Sequence, residues 1–544
     1  MKLSQHDLQQ LDEGILQGLP EAVLRRLSVN LLADLKEARE RLQQHPGNSS
    51  RPPSSRAPWE RGSSGQDTAP RDASADADAL PEGDDVTEAE EALAEQTVSG
   101  QAPASAEASA DDASAAAPRK PKRKPGKQAG APGFGRTQVF QAQREERHHP
   151  PHCARCGQAL PPEAPQTVYT GFQSIDVRWG DPGTPGLQLE VVDHRYLEVT
   201  CGCGHCTRAP PAQGEVEETL AGIARREWRL VGPGLASFIV ALNLRFRLSR
   251  ARIQEFLHDW LGVRLSIGTL HQTLHETGAV VAPAEGALIA DLLAEAEAQG
   301  VGGPMHADET SWPQQDQRLW LWVFLTTTTT VYVIAGRGKA TVTRLLAGFQ
   351  GWLMSDGWFS YRDYPRRLRC WAHLLRKAQG LIERYDRDAR RFGIQVRGTL
   401  EDLMAAIYAA RVGPPPEVDL REAHAEALQR LRQACSAQYG HRHEKTRALA
   451  TEFLHDGDAI FRVLEHPALA LTNNAAEQAL RHWVISRRIS HGTRTAVGSR
   501  VFALLASVID SCRQRGHSPW TYLAEAIAER RAGRPLPPLP QPGV

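Results

Sequence analysis

"MHADETSWPQQDQRLWLWVFLTTTTTVYVIAG", residues 305–336, decides the architecture. Trp, Val, Phe, Thr and Tyr crowd it, and such side chains favour a pleated, half-buried surface. "MHADETSW" reads as a strand ending in acids, and the Trp- and Thr-rich run as one or two further strands. Downstream, "TVTRLLAGF" reads as a short helix, "GWLMSDGWFSY" as a strand entering a loop, and "LRCWAHLLRKAQGLIE" as a strand turning into a helix. Helical patterns lie on both sides, so the expectation is a multidomain α/β protein with a mixed α/β core at 299–515. A helical insertion is expected at about 385–468.

Two carboxylates sit where that core predicts strand ends: Asp308 in "MHADETSW" and Asp356 in "LMSDGWFSY". Carboxylates at buried strand ends are costly unless a cation compensates them. Glu477, in "LTNNAAEQALRHWVISRRISHGTRT" at 471–495, is a third candidate, with Thr472, Asn473 or Asn474 capping its helix. Three oxygen donors suit Mg2+ or Mn2+. The competing reading makes Glu477 an i,i+4 ion-pair partner of Arg481 and leaves both aspartates as turn residues. Glu309, beside Asp308, points to the opposite face of a strand and reads as a decoy.

The remaining chain reads as a series of modules. Residues 1–45 carry Leu24, Leu31, Leu35 and Leu42 near heptad spacing, which fits a short oligomer seam or an amphipathic helix packed on its own chain. Residues 46–118 are a disordered, acidic linker by composition. The segment 119–147 opens with "RKPKRKPGK", where Arg119, Lys120, Lys122, Arg123, Lys124 and Lys127 suit DNA phosphates. At 148–210, Cys153 and Cys156, then Cys203 and Cys206, each have C-x2-C spacing. Two such pairs make a closed structural Zn2+ site, with Cys201, His152 and His205 as spare donors.

Residues 211–298 read as helical. Ser249 and Ser266 are N-caps, Gly262 is a break, and Ile253, Leu257, Leu261, Ile267, Leu270 and Leu274 form apolar faces. That pattern fits a helix-turn-helix entering DNA or a plain scaffold pair. A C-terminal tail is expected at 516–544. The N-terminus opens polar, no apolar run has the length of a membrane span, and the cysteines do not suggest a disulfide framework. A cytoplasmic protein is expected.

Several stretches together resemble the Asp-Asp-Glu transposases of the insertion-sequence 66 family. They are "NSSRPPSS", "GKQAGAPGFGR", "ADETSW", "SDGWFSY", "CWAHLLRKA" and the 471–495 stretch. The resemblance implies a ribonuclease-H-like catalytic core in which Asp308, Asp356 and Glu477 ligate the metal, with a zinc-binding domain ahead of it. It draws attention to Cys370 and His373 in "CWAH", with His373, Arg376 and Lys377 as DNA-positioning candidates. Arg481, Arg487 and Arg488 become candidate phosphate contacts. Element ends and target DNA are the implied partners, with homo-oligomers and accessory proteins of the same element. Two other readings remain: a DNA-binding regulator with structural acids, and a nuclease that cuts without joining.

Overall fold

The structure, a computed structural model, describes residues 20–42, 138–180, 183–210, 229–414, 416 and 418–543. The acidic linker and the basic residues from Arg119 to Lys127 lie outside these. Helix α1 (Glu21–Leu42) leaves Leu31, Leu32 and Leu35 exposed.

A first sheet contains β1 (Arg144–His148), β2 (Gln166–Trp179), β3 (Leu187–Thr200) and β4 (Cys206–Arg208). Its order is β1-β3-β2, with β4 also on β3. β1 runs parallel to β3, and β2 and β4 run antiparallel to it.

Helices α2 (Pro233–Val240), α3 (Arg250–Leu261), α4 (Ile267–Val281) and α5 (Ala284–Gln299) follow. The serine hydroxyls of Ser249 and Ser266 accept from the amides of Arg252 and Thr269, and Gly262 ends α3 with φ 65°. Each such cap is worth about 1 kcal/mol. Ile253, Leu257, Leu270 and Leu274 are buried as the periodicity requires, but Ile267 is exposed. Its exposure follows from position, since the first turn of α4 leaves the core that buries the rest of the helix.

The second sheet is built from β5 (Met305–Gln314), β6 (Gln317–Leu325) and β7 (Thr330–Ala335), then, after α6 (Lys339–Leu345), from β8 (Leu353–Ser355) and β9 (Arg367–Arg369). The strand order is β7-β6-β5-β8-β9. The first three strands form an antiparallel meander, while β8 runs parallel to β5 and β9 parallel to β8. The threonine block divides between a turn and the start of β7. Thr327 and Thr328 hydroxyls donate to the Glu295 carboxylate at 2.6 and 2.7 Å, and the Thr328 amide donates at 3.0 Å. The polar turn between two apolar strands is thus satisfied by one acid on α5.

Helix α7 (Trp371–Ile382) leads into α8 (Arg387–Val412), α9 (Leu420–Ala423), α10 (Ala425–Gln438) and α11 (Glu444–Glu465). These carry their own apolar cluster, closed on β9 and α7 through Leu368, Cys370, Trp371 and Leu374. The chain returns to the sheet with α12 (Asn474–Ser490), α13 (Ala496–Gln514) and α14 (Pro519–Arg531).

Two expectations about boundaries need correction. The helices expected as a separate unit at 211–298 share one continuous core with the sheet, running from Ile175 on β2 through α2–α5 and β5–β7 to α12–α14. The segment expected as a tail at 516–544 contains α14, capped by Ser518 and holding Leu523, Ala526 and Ile527 fully buried. Burial of Leu523 and Ile527 contributes about 1.5–3 kcal/mol each. Its polar side chains had concealed that face, and the Glu276–Arg531 pair at 3.0 Å ties it to α4. Among the described residues, no single helix is long and apolar enough to cross a membrane.

Candidate active site

β5 and β8 pair in parallel only at Met305↔Leu353 and His306↔Met354. Continuing that register two residues further brings Asp308 opposite Asp356, where the two strands part. Asp308 lies within β5, which continues to Gln314, so the strand does not end at the acids as expected. Asp356 directly follows β8 and accepts from the Trp358 amide at 2.9 Å. Asp308 accepts from the Glu309 amide at 2.9 Å. Burial, then the charge of Asp356, pushes the Asp308 carboxyl well above the usual carboxylate range; Glu309 and Glu477 add to the push.

Glu477 occupies the first turn of α12. Asn473 controls where that turn falls. It is fully buried, donates through Nδ2 to the Ala307 carbonyl at 2.8 Å, and meets His306 Nδ1 through Oδ1 at 3.1 Å. Its own amide donates to Cys370 Sγ at 3.2 Å. Asn473 stands at the N-cap position, yet its side chain makes no capping bond; it fastens the helix start beside Asp308. The far end of α12 is fastened too. Gly492 has φ 81°, and a Cβ there would stand 2.1 Å from the Pro313 carbonyl oxygen, so glycine alone lets this turn close on β5.

Glu477 pairs with α7 in place of Arg481. Its Oε1 lies 3.1 Å from Arg376 Nη2 and 3.6 Å from His373 Nε2. Arg376 also contacts His373 at 3.2 Å, and the buried His373 Nδ1 has no hydrogen-bond partner. Burial, then the neighbouring Arg376 charge, lowers the His373 pKa. Cys370 is buried and receives the Asn473 amide, which gives it a packing role in this geometry.

A supporting layer surrounds the aspartates. Glu309, expected as a decoy, is buried and receives the Tyr361 hydroxyl at 2.7 Å and Arg337 Nε at 3.3 Å. Burial, then the Asp356 charge, pushes its carboxyl up to about 8. The Arg337 guanidinium lies 3.5 Å above the Trp358 ring. Beneath the Asp356 turn, a Cβ on Gly357 would come within 2.6 Å of Arg369 Nη2. Arg369 is itself held by Glu452 and Asp456 of α11, and Lys377 pairs with Glu452 at 3.0 Å. Sequence patterning offered Asn473 only as a helix cap and missed Arg369, because both roles depend on partners far away in the chain.

Among the described residues, neither Asp308 nor Asp356 has an ion-pair partner, whereas Glu477 has two. Carboxylate oxygens of this kind suit a hard divalent cation, but among the described residues the three do not form a group whose ligand atoms all lie within 4.8 Å of one another.

The family described as Transposase IS66 family matches residues 229–501. The chain belongs to that family. The matched span of this IS66-family chain includes all three carboxylates, the second sheet and α12. Two proteins of Sinorhizobium fredii (strain NBRC 101917 / NGR234), both named as uncharacterized, are similar to it. The protein y4jO is 27% identical over 158 residues, covering 29% of this chain and 47% of its own length. The protein y4qI is 26% identical over 226 residues, covering 37% and 40% respectively. The IS66-family chain therefore spans less than half the length of these curated relatives.

The cysteine cluster precedes the matched span. Cys153 and Cys203 sulfurs lie 3.8 Å apart, Cys156 and Cys201 sulfurs 3.6 Å apart, and all four lie within 4.8 Å of one another. Tetrahedral Zn–S bonds of about 2.3 Å place sulfurs about 3.8 Å apart, so the donors fit Zn2+. The fourth member is Cys201, which corrects the expected Cys206. A tight turn through Gly204, with φ 79°, brings Cys201 and Cys203 together, while Cys206 enters β4 opposite Thr200 and stays exposed.

Of the expected DNA contacts, Arg481 and Arg488 are exposed on α12. Arg487 is not available in the same way. Its Nη1 donates to Thr310 Oγ1 and Ser311 Oγ, both at 2.9 Å, and to the Ser311 carbonyl, so it braces α12 on β5.

Proposed function

We propose that this chain is a DNA transposase with a ribonuclease-H-like core. In this reading it hydrolyses phosphodiesters at the ends of its element and joins the freed 3′-hydroxyl to target DNA. The β5–β8 register that sets Asp308 opposite Asp356, with Glu477 near enough for its charge to act on Asp308, supports the reading, and the sheet order with β8 and β9 parallel to a central β5 supports the core assignment. The three carboxylates would hold Mg2+ or Mn2+. Such ions, when bound, supply Lewis acidity, making water or a hydroxyl more nucleophilic and stabilising a departing phosphate oxygen.

The chain's own groups supply the positioning. Asn473 fixes the start of α12, and Arg376 and His373 orient the Glu477 carboxylate. Arg481, Arg488 and Lys377 face DNA phosphates, with the basic run at 119–127 adding contacts that are independent of base sequence. The exposed first turn of α4 is the proposed reader of terminal repeats. Exposed leucines on α1 make self-association part of the proposal, and accessory proteins of the same element are further proposed partners.

The test incubates purified full-length chain with labelled element-end DNA, target plasmid and Mg2+ or Mn2+. Terminal nicks and end-to-target joints are expected, both lost in chelator. End binding without cleavage in either metal would instead identify a DNA-binding regulator, and cleavage without joints a nuclease.

We also propose structural Zn2+ at Cys153, Cys156, Cys201 and Cys203. Cys201→Ser is expected to lower zinc content by about one equivalent per chain, with Cys206→Ser unchanged, as read by metal analysis. The reverse result restores Cys206 as the ligand.

A further inference from the structure

The face of the first sheet away from the thiols brings three further donors together. β1 and β3 pair in parallel with Glu146 opposite His194 and His148 opposite Tyr196. Strand alternation places Glu146 and His148 on one face, and the β2 register sets Phe172 beside His194. His148 Nε2 lies 3.0 Å from His194 Nδ1, and Glu146 Oε2 lies 3.9 Å from the same nitrogen. Ligand atoms of all three residues fall within 4.8 Å of one another.

We propose that Glu146, His148 and His194 form a second metal site for a borderline divalent cation of the Zn2+ class. Two imidazoles and one carboxylate select such ions over Mg2+. Tetrahedral metal–nitrogen bonds of about 2.0–2.1 Å need nitrogens about 3.3 Å apart, so the two rings require adjustments of a few tenths of an ångström. The rings are already held. His194 stacks on Phe172 at 4.5 Å and 8°, and His148 stacks on Tyr196 at 4.2 Å and 7°. Little side-chain freedom remains to be lost on binding.

The second nitrogen of His194 sets its tautomer. Nε2 lies 2.9 Å from Ser174 Oγ, and with Nε2–H donating there, Nδ1 presents its lone pair to the site. The two facing nitrogens then share the Nε2 proton of His148, and a metal ion at that nitrogen requires the other neutral tautomer of His148, with its proton on Nδ1. One competitor exists: Arg144 Nη1 contacts Glu146 Oε2 at 3.1 Å. Arg144 also reaches Glu190 at 3.2 Å, so it keeps a partner when Glu146 turns to a cation. Three protein ligands leave a fourth position open to water or an outside donor, unlike the four-thiol cluster. The ion would cross-link the edge strand β1 to β3.

Metal content of the purified full-length chain, reconstituted with Zn2+ and freed of excess, tests this. About two equivalents per chain are expected in the wild type, falling to about one in His148→Ala and His194→Ala. With Co2+ in place of Zn2+, the thiolate charge-transfer absorption should persist in both variants. Ser174→Ala, which leaves all ligands in place, should weaken the second equivalent by about 10-fold or more. A wild type holding a single, thiol-bound equivalent overturns the proposal. So do histidine variants that retain the wild-type stoichiometry.

Discussion

If the proposed activity holds, Asp308→Asn, Asp356→Asn and Glu477→Gln are each expected to lower DNA cleavage and joining by about 10³-fold or more while end binding persists. The amides preserve shape and remove the charge that a divalent cation requires. A second, opposite effect distinguishes a metal site from a structural acid. Asp308 is half-buried beside Asp356 and Glu309, and without metal its ionised form is opposed by burial and by those charges. Asp308→Asn is therefore expected to stabilise the metal-free chain by about 1–2 kcal/mol, read as a raised Tm in chelator. Activity and stability should move in opposite directions. A structural aspartate would instead lose stability on substitution and leave catalysis nearly intact.

Arg369→Ala carries the largest expected loss of stability. The guanidinium is fully buried between Glu452 and Asp456, with Arg367 also on Asp456 at 2.6 Å. Removing it leaves Asp456 to Arg367 and Glu452 to Lys377, at a cost of about 3 kcal/mol, the low end for breaking a buried ion pair. Because Arg369 packs under Gly357, the Asp356 turn loses its support, and cleavage should fall even under conditions where the variant remains folded. Acid unfolding offers a companion readout. Burial alone would raise the Glu452 pKa, but the charges of Lys377 and Arg369 hold it at about 2, against 4.5 for a free glutamate. The folded state then binds fewer protons than the unfolded state between these values. Its stabilising contribution is present above about 4.5 and is lost as pH falls through about 2. In Arg369→Ala that pH dependence should flatten. A wild-type slope would show that Lys377 alone sustains the shift.

Local chemistry was the most legible part of the chain. Ser249, Ser266 and Gly262 act through bonds within a few residues, so their caps and break were readable directly. The aromatic and β-branched run at 319–335 likewise announced strand structure but left one strand or two open, and the turn through the threonines decides for two. Asp308 and Asp356 were readable as a pair because each adjoins an apolar segment, and the parallel register of β5 and β8 does the rest. What escaped depends on distant partners. The CGCGHC stretch offers both C-x-C and C-x2-C spacing, and only the turn at Gly204 selects Cys201. Arg487 looks like its neighbours in sequence, yet Thr310 and Ser311 on another element occupy it. The apolar stripe of α14 is short and interleaved with charges, and its burial depends on α2 and α4. Asn473 read locally as a cap, but its side chain makes no capping bond, and its role is identified only by the carbonyl it meets.

Anomalous scattering from crystals of the full-length chain soaked in Mn2+ tests the central claim most directly. Mn2+ is expected in the cleft where β5 and β8 part, bonded to oxygens of Asp308, Asp356 and Glu477. Saturating Mn2+ that leaves this cleft empty, with the three carboxylates turned to separate surfaces, would contradict it.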